Sequence, residues 1–548
     1  MDNSSHTASI HILDDDSLLN IFYLYRPVVI FDGKKYEDQG QGDLEGRDYG
    51  GARIPERWWY KPAQVCQRWR KIILGSASYL DLCLVCTYGT PVADMLEHSP
   101  PLPLVIDFFR THWEITREAE EGIVLALERR DRVRRVRLLL PDRNMRNLFM
   151  SIEEEFPALE CLIMRLDEAN EMAYEIAGLQ APHLRNLILR GFILLIGSPL
   201  LATAVGLVTL GLDMSRNDFF RPKILLQILQ SISSMPQLET LFFFLPRRDV
   251  GVAPSPVTQR VVLPNLRRLV LEGVGEFIEA VVCRIATPLI ETLDIRFSDR
   301  ANMFFVPSLL QFVNTTENLK FDCARFVLFG EGIRADLYTC TEAKTHSSSL
   351  SIYIAGDHLY SQVYSMAKIF DSSIDSSQIF STVEHLTLEY RVHRSTYKRY
   401  DEVNDIRWRK VFRLFSNAKT LHVDDGFAKE FFHTFLPESP DDGELALDLL
   451  PRLEELTYCR WLRSDDTEFT SFIDYARQNA GRLVTLFNPS LRHVSLLSRR
   501  LTPLAFTSPF SMSFDVIAGS IEKHAERPRD LNLDQICDPP SPGSGMNL

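Results

Sequence analysis

The sequence is short of almost everything that would mark a nucleic-acid-binding protein, a secreted scaffold or an enzyme. It has no surplus of positive charge: 60 Lys and Arg stand against 73 Asp and Glu, a formal net charge of -13 over 548 residues. Recognition of phosphate backbones normally demands a positive surface, so nucleic acid is not an expected partner. The nine cysteines are strung thinly from Cys66 to Cys537. An odd, sparse set is not a disulfide framework, and reduced thiols in the cytoplasm or nucleus are the expectation. The opening stretch, MDNSSHTASIHILDDD, has neither a basic nor an apolar region, so no export signal is expected. No Gly-x-x-x-x-Gly-Lys phosphate loop is present, and the thirteen histidines show no metal-binding helical spacing. Cys83 and Cys86 have no second pair to complete a tetrahedral site. No catalytic residue, metal or cofactor is therefore expected.

Long uncharged runs are also scarce, with one exception. Gly191 to Leu212 holds no charge for 212 - 191 + 1 = 22 residues, long enough to cross a bilayer. Pro199 and four glycines interrupt it, no basic cluster follows it, and its last part fits a repeat register found on either side. A membrane span is the lesser reading of this segment.

What the chain does have is apolar material: 45% of its residues are hydrophobic, more than one ordinary domain core can use. Near the start, Asp14, Asp15, Asp16 and Ser17 precede Leu18, Ile21, Phe22 and Tyr25, which fall at i, i+3, i+4 and i+7. That is a capped amphipathic helix, with acids opposing the positive end of its dipole. A second helix is expected over AQVCQRWRKIIL, with Val65, Cys66, Trp69, Ile72 and Ile73 on one face. A polar, glycine-rich stretch at about 32–55 separates them and suits an exposed loop. Two short helices bury little alone, so they must pack on each other, on the rest of the chain or on a partner.

These residues resemble the F-box family, whose members carry a Leu-Leu-x-x-Ile-Phe helix followed by a Val-Cys-x-x-Trp-Arg helix. The matching positions are Leu13, Leu18, Leu19, Ile21 and Phe22, then Val65, Cys66, Trp69 and Arg70. Asp14 stands where the family usually has proline, and Pro62 where a helical leucine is common. The following segment is similar to that of large fungal families of such proteins. The resemblance implies an adaptor-binding module over residues 1–80. Those nine positions would then contact a Skp-type adaptor, and through it a cullin, within an SCF ubiquitin ligase whose protein substrate is unknown. The alternative is a helical cap in which Phe22, Val65 and Trp69 are ordinary core.

From Val133 onward an apolar-x-x-apolar-x-apolar template returns, beginning also at Leu159, Leu184, Leu207, Leu238, Leu266 and Ile290. Weaker copies start at Leu319 and Ser347, and clearer ones at Val383, Ala418 and Leu453, at spacings of 23 to 36 residues. One such unit cannot bury its apolar face, whereas stacked copies build a continuous core. The expectation is an α/β chain: a helical module, a connecting segment and cap over 81–132, and an irregular solenoid over 133–500 with parallel strands backed by helices. A C-terminal cap over 501–526 and a disordered tail over 527–548 would complete it. The pattern resembles leucine-rich repeats without their asparagine or cysteine eight residues after the first leucine, so irregular repeats with charged insertions at about 392–405 and 437–444 are expected.

A basic run holds six arginines from Arg129 to Arg137. It is a solvated helix end and first strand, or else a nuclear-import signal or an acidic-ligand patch. Leucine-rich folds turn the third, fifth and seventh template positions to the concave side. That resemblance puts Arg135, Arg137, Arg165 and Arg190 on one surface, with Phe242 and Phe244 beside them. Such a surface would suit an acidic or phosphorylated protein segment.

Overall fold

The computed structural model describes residues 13–26, 58–109, 116–140, 154–166, 174–194, 197–215, 222–246, 260–298, 306–329, 332–340, 349–356, 359–371, 379–391, 405–424, 449–459 and 483–487, with 148 and 152. The chain divides into two compact units, Met1–Leu496 and Leu497–Leu548. The second unit lies outside the described residues, as do the expected loop at 32–55, the insertions at 392–405 and 437–444, and the C-terminal cap and tail.

The first unit opens with helices α1 (Asp15–Tyr25), α2 (Tyr60–Ala63) and α3 (Gln67–Gly75). Strand β1 (Leu84–Cys86), helix α4 (Val92–His98), strand β2 (Leu104–Phe108) and helix α5 (Arg117–Leu127) follow. Then come β3 (Val133–Leu140), β4 (Cys161–Leu166), β5 (Tyr174–Ile176), β6 (Asn186–Arg190), β7 (Phe192–Leu194), β8 (Thr209–Asp213), β9 (Thr240–Phe244), β10 (Val261–Val262), β11 (Arg268–Gly273), β12 (Ile285–Ala286) and β13 (Thr292–Phe297). The remaining strands are β14 (Cys323–Phe329), β15 (Gly332–Tyr338), β16 (Ser349–Ala355), β17 (His385–Tyr390), β18 (Thr420–Asp424), β19 (Glu455–Cys459) and β20 (Leu483–Phe487).

Sixteen of these strands form one sheet, in the order β1-β2-β3-β4-β6-β8-β9-β11-β13-β16-β15-β14-β17-β18-β19-β20. Every neighbouring pair is parallel except β16-β15 and β15-β14. Ten of the strands begin two residues after the first position of a template copy, as Cys161 follows Leu159 and Thr420 follows Ala418. The alternating leucines therefore all fall on one face: Leu162, Leu187, Leu210, Leu241, Leu269 and Leu293 occupy one buried row across six strands. Helices 222–232, 275–282 and 307–315 add Leu229, Ile278 and Leu309 to the same cluster. Each leucine taken out of water in this way contributes about 1.5–3 kcal/mol.

Stacking is reinforced by a hydrogen-bond pattern that repeats with the strands. The carbonyl of Glu239 accepts from the amides of Arg267 and Arg268, that of Arg267 from Glu291 and Thr292, and that of Glu384 from Lys419 and Thr420. Asparagines one residue ahead of the template reach back one repeat: Asn265 donates to the Pro236 carbonyl at 2.7 Å, and Asn318 to that of Pro288 at 3.1 Å. Asn417 does the same toward Ser381. A side-chain brace of backbone carbonyls thus exists, at a different position from the one leucine-rich repeats use. Helices are tied across repeats as well: the Glu279 carboxylate accepts from the amides of Ser308 and Leu309, both at 2.8 Å, capping the helix that begins at Pro307.

Two features depart from the sequence expectation, and residues 191–212 follow the leading one. Strands β1 and β2, inside the segment read as a connector, extend the sheet in parallel register with β3. The antiparallel strand β15 sits between two template copies and reverses the local strand order. Residues 191–212 contribute β7, the short helix Pro199–Thr203 and β8. Among the described residues no helix is long and apolar enough to cross a membrane.

Candidate functional site

Two surfaces gather the residues singled out by sequence. The first is the α1–α3 pair. Asp14 caps α1, its carboxylate accepting from the Ser17 amide at 2.6 Å, and that hydrogen bond is the leading cause holding its pKa below the usual aspartate value. Arg68 locks α3 onto the start of α1, donating to the Leu13 carbonyl at 2.6 Å and to the Asp15 carboxylate at 2.8 Å. The expected second helix is broken: α2 ends at Ala63, and α3 starts at Gln67 with the Cys66 sulfur accepting from the Trp69 amide at 3.5 Å. Val65 and Cys66 therefore lie in the break, and Pro62 is accommodated within the four-residue α2.

This geometry sorts the nine candidate adaptor contacts. Leu18 and Phe22 point inward, Phe22 only 2% exposed, so an expected direct role for these two side chains in gripping a partner is corrected. Phe22 packs on Trp69, which is half-buried, and Leu13 and Leu19 are half-buried against the same core. Arg70 is exposed and donates to the Ala63 carbonyl at 3.1 Å, bracing the break between α2 and α3. Cys66 is half-buried. The outward apolar side chains are Ile21 at 43% exposure and Val65 at 61%, joined by Leu24 at 81%, Tyr25, Tyr23 and Tyr79, none of which is among the nine adaptor positions. Leu24 lies off the i, i+3, i+4 stripe, and that is the signal: a large apolar residue on the face an isolated amphipathic helix would keep polar.

The second surface is the sheet face opposite the leucines. Arg135 and Arg137 on β3, Arg165 on β4, Arg190 on β6, and Phe242 and Phe244 on β9 all lie on it, as the register requires. The structure does not leave them as an isolated basic patch. Arg137 meets the Asp107 carboxylate at 3.2 Å, and Arg190 lies 4.0 Å from that of Asp213 and 4.6 Å over the Phe244 ring. Arg137 and Arg165 are buried. Among the described residues, this end of the face also carries Arg268, with Asp107, Asp213 and Glu272 interspersed between the arginines. Farther along, Asp294 pairs with Arg296 at 2.9 Å, Asp336 with Arg334 at 2.7 Å, and Glu389 with Arg325 through two contacts of 2.7 Å. Burial pushes the Asp294 and Glu389 carboxyls up, but their arginine partners outweigh it and hold both below the usual carboxylate values.

Among the described residues no group of three or more His, Cys, Asp or Glu side chains is placed to hold a metal ion. Cys83 is half-buried and Cys86 buried, and burial pushes the Cys83 thiol up. No protein-family model matches this chain, and no curated protein matches it.

Proposed function

We propose that this chain is a non-catalytic substrate-recognition subunit of a cullin-type ubiquitin ligase in the cytoplasm or nucleus, docking on a Skp-type adaptor through its N-terminal helices. The sheet face opposite the leucine core then presents a protein substrate. The ligase connection comes from the F-box resemblance of residues 13–22 and 65–70. The observation that supports it best is the exposure of Ile21, Leu24, Tyr25 and Val65 around a rigid internal frame of Leu18, Phe22 and Ile73. Such a patch is costly to leave in water and suits a partner's apolar groove. The role of the chain is positioning, holding substrate near a ubiquitin-loaded enzyme, and no residue of its own performs the transfer. Recovery of a Skp-type adaptor with the full chain, dependent on residues 1–80, tests the reading.

One observation favours a second reading. Leu18, Phe22, Trp59 and Ile73 belong to the same continuous hydrophobic cluster as the strand leucines, and the Trp59 indole donates to the Cys83 carbonyl at 3.1 Å. A structural cap on a repeat-built interaction scaffold would pack in this way. Failure of adaptor recovery with an intact fold would select it.

A further inference from the structure

Cys323 opens β14 and faces Tyr338 across the antiparallel β14-β15 pair. Cys340 stands two residues past Tyr338, so strand alternation puts it on the same side as Cys323, one diagonal step away. Asp322 ties the two segments together at this end. Its amide donates to the Tyr338 carbonyl at 3.3 Å, and its carboxylate accepts from the Cys340 amide at 2.7 Å. The Thr339 hydroxyl adds a further tie, donating to the Lys320 carbonyl at 2.6 Å. Within this frame the Cys323 thiol makes side-chain hydrogen bonds with both the Cys340 sulfur and the Asp322 carboxylate. The two thiols differ in access, for Cys340 is exposed and Cys323 is buried. Burial, and after it the adjacent Asp322 carboxylate, pushes the Cys323 thiol above its ordinary value, so it stays protonated at neutral pH. An exposed thiol touching a buried one is the arrangement of a reactive cysteine beside a resolving partner. Where thiols are kept reduced, as the sparse cysteines of this chain lead one to expect, a touching pair suits sensing more than scaffolding.

We propose that Cys323 and Cys340 form a redox-sensitive pair, which a hydroperoxide converts to an intrachain disulfide that staples the β14-β15 hairpin. The Cys340 thiolate attacks one peroxide oxygen: an S–O bond forms, the O–O bond breaks, and the other oxygen leaves and takes up a proton as water or an alcohol. The Cys323 sulfur then attacks the sulfur of the Cys340 sulfenic acid. The S–S bond forms, the S–O bond breaks, and the hydroxyl leaves as water with the proton that Cys323 gives up through the Asp322 carboxylate. In sum the two thiols lose two electrons and two hydrogens, and the peroxide gains them. The staple closes where β15 stands between β16 and β14 in the strand order. It therefore fixes the junction between the two parallel runs of the sheet. Nothing in this step depends on adaptor binding.

The test treats the reduced full chain with a small molar excess of hydrogen peroxide at neutral pH and maps it by non-reducing peptide mass spectrometry. The peptides holding Cys323 and Cys340 should be lost together and return as one species, two hydrogens lighter than their sum, that dithiothreitol splits. The oxidised chain should melt no lower than the reduced one, since sulfurs already in contact are joined without moving the backbone. Cys340→Ser, at an exposed position, should keep the parent's melting temperature and leave Cys323 a free thiol under the same dose. In Cys323→Ser, Cys340 should stop at the sulfenic acid, read as its dimedone adduct. The parent chain and Cys340→Ser keep the test sound if Cys323→Ser unfolds. The proposal is overturned by a parent chain in which Cys340 stays a thiol or carries the dimedone adduct with no cross-link. A cross-link that forms only in urea, or that lowers the melting temperature, overturns it as well.

Discussion

The ring of Phe22 on α1 meets that of Trp69 on α3 edge to face, with centroids 5.0 Å apart and planes at 68°. Phe22 is sealed inside the chain, so it builds the platform on which the exposed side chains stand. Replacing it removes a core aromatic from a cluster continuous with the sheet. Phe22→Ala should lower unfolding free energy by about 3–5 kcal/mol, read from urea midpoints. A change below 1 kcal/mol would mean that the aromatic pair is not part of the core.

The two-pronged contact between Arg325 and Glu389 makes stability depend on acid. The Glu389 carboxyl is held below its ordinary value of 4.5, so its contribution is fully present above that pH and is lost as pH falls through the lowered value. Glu389→Gln should cost about 1.5–3 kcal/mol at neutral pH, the range for hydrogen bonds to charged groups. The gap to the parent should close below pH 4.5. Urea titrations at both pH values decide it, and a gap that persists in acid would show that the ion pair is not its source.

Thiol reactivity should follow burial. Cys340 is exposed, whereas Cys86, Cys161 and Cys323 are buried, and desolvation pushes the Cys161 thiol up to about 11. Since the thiolate is the reactive form, brief alkylation of the folded chain at neutral pH should modify Cys340 ahead of those three, as mapped by peptide mass spectrometry. Labelling of Cys161 before Cys340 would contradict the sheet packing.

Gly191 and Gly197 share a left-handed φ of +81°, but only the first is crowded: a Cβ at 191 would stand 2.9 Å from the Leu166 Cβ, and nothing lies within 4 Å at 197. Alanine at either position incurs about 1–2 kcal/mol of backbone cost. At 191 overpacking adds about 1–3 kcal/mol. Thermal melts should therefore rank Gly191→Ala below Gly197→Ala, and equal losses would show that β4 does not approach Gly191 as closely as described.

The strands were legible in the sequence because stacking makes every copy bury the same template positions, so Leu159 and Ala418 announce Cys161 and Thr420 despite unequal repeat lengths. The open face was legible through the resemblance to leucine-rich folds, which implied that Arg165, Arg190 and Phe244 share one surface. Less legible was anything fixed by pairing between repeats. The β15 segment alternates Ile333, Ala335 and Leu337 inward with Arg334 and Asp336 outward, a strand signal that falls between two template copies and outside their register. Leucine-rich repeats carry their carbonyl brace eight residues after the first leucine, while Asn265, Asn318 and Asn417 stand one residue before the template. At the N-terminus, periodicity grouped Phe22 with Ile21 and Tyr25. Only packing against Trp69 decides which of them turns inward.

The central claim is that the exposed apolar side chains of the first helices grip an adaptor. Its most direct measurement is co-purification of a Skp-type adaptor with the full chain and with the Leu24→Asp/Val65→Asp double variant, beside thermal melts of both. The adaptor should copurify with the parent and be lost from the double variant at an unchanged melting temperature, since both side chains lie outside the core. Adaptor retained equally by the two proteins, or absent from both, would contradict the account.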